Sequence, residues 1–225
     1  YKKGCKAGKS RVALLEVLAR PGKKLLITGN GKCNLTNYKL DDSCYHTDSG
    51  STEDIMGVIE RFDSKAVTGF FHEEGMLVRD RDGYVYPYSE QASSVLDCLR
   101  QCLVKYGVEL ICGCEIDSVR KSGAEFAVFG NLRDAQAENL RAEGKKNENR
   151  KPSGNGKKME NEFIGRLSCT CKKLIVATGS AAGGVCNQGM AGKGKGVDNS
   201  ALGYNIAARF GHHIVKLLPA LVALG

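Results

Sequence analysis

The chain has 225 residues, 42% of them hydrophobic and 26% charged, and carries a formal net charge of +8 from 33 basic and 25 acidic side chains. That balance is ordinary for a globular protein of one large domain or two small ones. No apolar run approaches the ~20 residues of a membrane span and no signal-peptide pattern opens the chain, so no membrane partner is expected and a cytoplasmic location is.

Tyr1–Ser10 is basic and glycine-containing, and reads as the end of a helix plus a turn. Arg11–Glu16 (RVALLE) is a short apolar run closed by an acid, the pattern of a buried parallel strand. Gly22–Asn37 (GKKLLITGNGKCNLTN) follows. Its Gly29-Asn30-Gly31-Lys32 loop, with Lys23 and Lys24 close by, combines backbone N–H donors, positive charge and glycines that let a ligand approach, a combination suited to a pyrophosphate or another anion. A plain surface turn is the alternative for a lone G-N-G.

Tyr38–Thr52 is polar and reads as loop. Asp54–Phe62 and Ser64–His72 have apolar positions at helical spacing, with Asp54 or Ser64 as N-caps and Gly75 as terminator. Met76–Arg79 and Tyr84–Tyr86 flank Asp80-Arg-Asp-Gly83, a hairpin signal, and Pro87 ends the second strand. Ser89–Gly107 holds the clearest helix, with Ala92, Val95, Leu96, Leu99, Leu103 and Val104 on one face. Val108–Cys112, Ile116–Val119 and Glu125–Phe129 read as strands. Residues 130–162 form a polar insertion that reads as an expanded, mobile connection. Phe163–Thr170 returns to strand character, and Leu174–Gly179 (LIVATG) reads as a central parallel strand whose carboxyl end meets a ligand. Ala181–Ser200 is glycine-rich and irregular. Ala201–Phe210 is a helix ending at Gly211, His212–Val215 resumes strand, and residues 217–225 close on an apolar run.

Two features invite other functions. Arg141–Glu160 has seven Lys/Arg against three Asp/Glu and no Phe, Tyr or Trp, so it reads as a solvated loop, and nucleic-acid binding is the less favoured reading. Ten cysteines include Cys112-Gly-Cys114 and Cys169-Thr-Cys171, but none stands at C-x₂-C spacing and the four histidines fit no finger pattern, so no metal is expected.

Several separated segments together resemble the BaiN/YhiN-like flavoproteins, also called the aminoacetone-oxidase family of FAD-binding enzymes among the NAD(P)/FAD-dependent oxidoreductases. Gly22–Asn37 resembles that family's G-[KR]-K-x-x-x-[ST]-G-x-G-[RK]-C-N-x-T-N signature. Gly83–Ser89 looks like its G-R-V-F-P-x-S, Leu174–Ser180 its I-x-A-T-G-G, Leu202–His212 its D-G-Y-x-x-A…G-H, and Leu218–Val222 its P-x-L-V. The resemblance implies an α/β, Rossmann-like FAD/NAD(P)-binding domain with a parallel sheet (Arg11–Glu16, Val108–Cys112, Leu174–Thr178) and a small antiparallel layer from Ile116 to about Thr170. The N-terminal glycine fingerprint and the C-terminal part would be missing. Residues 1–225 would then be a partial FAD-binding domain, with 217–225 the start of a truncated substrate domain.

Residue by residue, the resemblance implies that Glu16 takes the adenosine ribose and that Lys23 and Lys24 lie near the pyrophosphate. Thr28, Gly29, Gly31, Lys32, Cys33 and Asn34 would line the dinucleotide and flavin. The backbone at Ile116 would meet the adenine, and Ala177, Thr178 and Gly179 would pass beside the cofactor. The cofactor that the resemblance implies is FAD, for which NAD(P)H would be a candidate electron donor. Lys32 in place of the commoner Arg gives up bidentate geometry, and Ser180 stands where a second Gly is usual. No catalytic acid or base stands out, since Tyr204, His212 and His213 are candidates by type alone. The rival readings are a non-catalytic nucleotide- or anion-binding module and a basic nucleic-acid-binding protein.

Overall fold

Residues 11–47, 50–134, 163–179 and 201–215 are described by the computed structural model. The chain divides into two units, one of Tyr1–Leu40 with Arg61–Leu174 and one of Asp41–Glu60 with Ile175–Gly225.

In the first unit, the apolar run after Arg11 forms strand β1 (Ala13–Glu16). It pairs in parallel with a later strand, Glu109–Cys112, in the register Ala13↔Glu109 to Glu16↔Cys112. Arg11 and Glu109 form an ion pair at the start of this pair. Strand β2 (Thr36–Asn37), helix α2 (Ser64–Glu73), strands β3 (Val78–Arg81) and β4 (Tyr84–Pro87), and helix α3 (Ala92–Lys105) fill the connection, so that Glu109–Cys112 is β5. Helix α1 (Thr52–Ile59) belongs to the second unit.

β2, β4 and β3 make an antiparallel sheet in the order β2-β4-β3. The β3–β4 turn is the two-residue Asp82-Gly83, both at positive φ (53° and 92°), the type I′ geometry that matches strand twist. α3 buries Ala92, Val95, Leu96 and Cys102 on one stripe, and Gly107 (φ 66°) follows its end. Cys33, Phe71, Ala92 and Val95 form the buried cluster, packed by Leu25, Leu35, Val67, Phe70, Met76, Val78, Cys98 and Leu99. The core therefore lies between α2, α3 and the loop before β2.

A second antiparallel sheet, β6 (Cys114–Ser122), β7 (Glu125–Arg133) and β8 (Phe163–Cys171), is the layer expected between Ile116 and Thr170. Its ladder breaks register between Ile116 and Ser118. A Cβ at Gly130, opposite Ile116, would come 2.3 Å from the Glu115 carbonyl oxygen, so the close backbone approach requires glycine there.

The second unit contains a short 3₁₀ turn at Asp42–Cys44, capped by Asp41, then helices α1 (Thr52–Ile59) and α4 (Leu202–Arg209). The start of α4 lies against residues 176–178, where a Cβ on Gly203 would meet Thr178 Oγ1 at 2.6 Å.

Several expectations are corrected. Leu174–Thr178 and His212–Val215 form no strand. An apolar run becomes a strand only when a neighbour completes its ladder, and among the described residues none does. Ile175 is accordingly 90% exposed. Leu25–Ile27 coils into a 3₁₀ turn that leads into the glycine loop. α1 starts at Thr52, because Ser51 Oγ accepts from Asp54 N at 3.1 Å. Asp63, not Ser64, caps α2, its carboxylate accepting from Ala66 N at 2.8 Å. The polar insertion begins later than expected, since Gly130–Arg133 complete β7. Residues 135–162, together with the readings made for Tyr1–Ser10, Ala181–Ser200 and 217–225, lie outside the described residues. Among the described residues no helix is long and apolar enough to cross a membrane.

Candidate functional site

The loop from Gly22 to Asn34 is built by hydrogen bonds within itself. Leu25 N donates to Gly22 O (3.1 Å), Ile27 N to Lys24 O (3.2 Å) and Thr28 Oγ1 to Leu25 O (2.7 Å). Helical winding stops at Thr28 (ψ 148°), and Gly29 (φ 54°), Asn30 (φ 54°) and Gly31 (φ 82°) then run left-handed. Lys32 N to Gly29 O (3.1 Å) and Cys33 N to Thr28 O (3.0 Å) close the loop. A Cβ at Gly29 would stand 2.8 Å from Asn34 N, so a side chain there is excluded by both space and φ. At Gly31 a Cβ would meet nothing nearer than Leu26 O at 4.0 Å, which leaves open space above the backbone.

Cys33 is left-handed too (φ 59°), a conformation costing a non-glycine residue about 1–3 kcal/mol. It is 5% exposed and packs in the cluster with Phe71, Ala92 and Val95, so burial offsets that strain and anchors the loop to the core. Lys23, Lys24, Thr28, Gly29, Gly31 and Asn34 are exposed.

The other expected residues are placed as follows. Glu16 ends β1 opposite Cys112, and its Oε1 accepts from Leu18 N at 2.9 Å, which orients the carboxylate. The Cys112 thiol is pushed up by burial and then by the Glu16 charge. Ile116 sits at the register break of β6, whose lead-in Gly113 donates to Leu18 O at 3.3 Å, so Glu16 and Ile116 stand on adjoining segments. Lys23 to Asn34 share the one loop. Ala177, Thr178 and Gly179 (φ 84°) belong to the second unit and lie outside helix and strand. Tyr204 lies in α4, and His212 and His213 are exposed beyond it.

The residues missed in the sequence surround Glu90, which is itself left-handed (φ 52°). Its carboxylate accepts from Lys32 Nζ (3.1 Å), Arg79 Nη1 (3.0 Å) and Arg81. Lys32 first, then Arg81 and Arg79, hold Glu90 below the usual carboxylate range. The i, i+2 spacing of Arg79 and Arg81 was a readable sign that both share a strand face. Nothing local announces that Glu90 turns back to meet them.

A second polar cluster joins α2 to α3. Glu74 accepts from Lys105 Nζ (2.8 and 3.0 Å) and from Tyr106 Oη. Lys105 first and Tyr106 second lower its carboxyl from the ordinary 4.5. Both glutamates therefore contribute stability that is present above the ordinary carboxylate value and lost as pH falls through it. Thermal melts are expected to hold down to about pH 5 and to decline below it. The decline should shrink in salt, because the cationic partners Lys32, Arg81 and Lys105 reach solvent. A melting temperature unchanged to pH 3 would contradict this.

The eight described cysteines are free thiols. Cys102 and Cys114 are both pushed up to about 11, chiefly by burial, so they stay protonated and fill space. Among the described residues no group of three or more His, Cys, Asp or Glu could hold a metal ion.

The loop suits a dinucleotide on two counts. Gly31 leaves room for close approach, and the side-chain donors near it, Lys23 and Lys24, are cationic and exposed, as phosphate oxygens require.

Residues 3–143 match the family described as the HI0933-like protein Rossmann domain. The chain is 32% identical over 217 residues to the 3-dehydro-bile acid delta(4,6)-reductase of Clostridium scindens, a match covering 96% of this chain and 42% of that protein. It is 23% identical over 220 residues to the ribosomal RNA dihydrouridine synthase of Haemophilus influenzae, covering 96% and 43%. The chain thus spans less than half the length of these curated relatives.

Proposed function

Since the chain belongs to the HI0933-like family of Rossmann-domain proteins, we propose that it is the cofactor-holding part of an FAD-dependent oxidoreductase of the BaiN/YhiN-like kind. The observation that carries this reading is the left-handed Gly29–Gly31 loop, locked to the core by Cys33 and open above Gly31. When bound, FAD supplies the hydride store, filled from NAD(P)H and emptied onto a second acceptor.

The chain's own residues bind and orient. Glu16, with one oxygen held by Leu18 N, offers its carboxylate to ribose hydroxyls. Lys23 and Lys24 neutralise the pyrophosphate, while Thr28 and the backbone from Gly29 to Asn34 line the dinucleotide. Lys32 lends its charge from beside Glu90. The irregular β6 backbone at Ile116 would meet the adenine. Cys33 acts as the loop's anchor, not as a redox thiol.

The relatives are named a reductase and a dihydrouridine synthase. For the full-length protein we accordingly infer reduction of a carbon–carbon double bond, with the substrate pocket completed by further chain.

Titrating FAD with the purified chain and following flavin fluorescence tests this. Saturable quenching that weakens about tenfold or more in K23A/K24A is expected, since charge-assisted contacts to phosphate are among the strong ones. Binding of ADP without any binding of FAD or riboflavin would instead favour a non-catalytic nucleotide module.

A further inference from the structure

Strand alternation gives the β3–β4 hairpin two faces. Val85 and Pro87 point into the core, which leaves Tyr84 and Tyr86 on the opposite face. The register sets Arg79 beside Tyr86 and Arg81 beside Tyr84 on that same face. Beyond β4 the Tyr88 ring lies under the Arg79 guanidinium, 4.5 Å from its centre. Tyr84 and Tyr88 remain 49% and 59% exposed.

Glu90 then meets Arg79, Arg81 and Lys32 together. Three cations around one carboxylate leave two positive charges uncompensated. The hairpin's other acids lie away from them: Asp80 alternates onto the opposite face, paired with Val85 and accepting from Gly83 N at 2.7 Å, and Asp82 in the turn pairs with Lys39. The Tyr86 ring comes 3.4 Å from where a Cβ of Gly29 would lie, so this face adjoins the glycine loop.

We propose that Arg79, Arg81 and Lys32 form an oxyanion-binding site, for a phosphate or carboxylate carried on a flat molecule that lies along Tyr84, Tyr86 and Tyr88. Guanidinium groups match carboxylate and phosphate geometry, and tyrosine rings give a flat body a stacking surface. Glu90 preorganises the cations and competes with the incoming anion. The oxyanion belongs either to the cofactor's phosphates or to an acidic substrate.

The test follows the arginine Nε–H resonances of the intact chain by NMR while inorganic phosphate is added. Arg79 and Arg81 are expected to shift saturably. R79Q or R81Q should weaken the phosphate response about tenfold, as loss of a charge-assisted hydrogen bond does. E90Q should strengthen it, because the competing carboxylate is gone, whereas a merely structural Glu90 would weaken it or leave it unchanged. Resonances unmoved by phosphate in the unmutated chain, or weaker or unchanged binding in folded E90Q, overturn the site. Repeating the titration with saturating FAD identifies the source: a response abolished by FAD assigns the site to the cofactor's phosphates, and one that persists assigns it to a substrate. Because the phosphate titration needs no flavin, it stands apart from the outcome for FAD binding.

Discussion

Replacing Gly29 with valine is expected to destabilise the first unit by about 2–3 kcal/mol and to abolish measurable FAD binding. Two independent penalties combine at this position. The residue sits at φ 54°, which a β-branched side chain strongly resists. Its Cβ would also stand 2.8 Å from Asn34 N, a backbone atom that cannot swing aside. Relief requires the Thr28–Cys33 closure to open, and the exposed donors of the loop lose their common geometry with it. Denaturant unfolding measures the first effect and flavin titration the second. A Gly29→Val protein that binds FAD like its parent would show that the loop is not the cofactor site.

Phe71→Ala should cost more, about 3–5 kcal/mol, because truncating a buried aromatic removes its transfer energy and leaves a cavity. Phe71 is 8% exposed, meets Phe70 edge-to-face at 5.2 Å between ring centres, and packs in the cluster that contains Cys33. The expected signature is coupled. Stability falls, and amide exchange in residues 28–34 rises, because Cys33 keeps its left-handed backbone only while burial offsets the strain. Loss of stability with unchanged exchange in that loop would mean that the core does not hold it.

Local chemistry made much of this readable from sequence. Alternation and Asp82-Gly83 announced the β3–β4 hairpin, helical spacing announced α3, and the apolar runs at Arg11 and Val108 announced the two parallel strands. The glycines of the loop pointed to a backbone taking unusual φ, and Gly22, Gly29 and Gly31 all do. What could not be read depends on neighbours distant in sequence. Leu174–Thr178 looks like a central strand, yet a strand exists only with a partner, and apolarity alone does not supply one. Cys33 looked like a residue facing the cofactor because it lies within the signature. Its burial beside Phe71 depends on how α2 and α3 pack. Glu90 was invisible for a similar reason, since its partners are contributed by the glycine loop and by β3.

The visible absorption spectrum tests the central claim most directly, taken on the purified chain and on a longer chain extended at both ends. Bands near roughly 375 and 450 nm, which any protein-bound flavin gives because the cofactor is the chromophore, are predicted for the longer protein at least. They should be released as FAD on denaturation. A longer protein that folds and is colourless, and that stays so after incubation with excess FAD and desalting, would contradict the account.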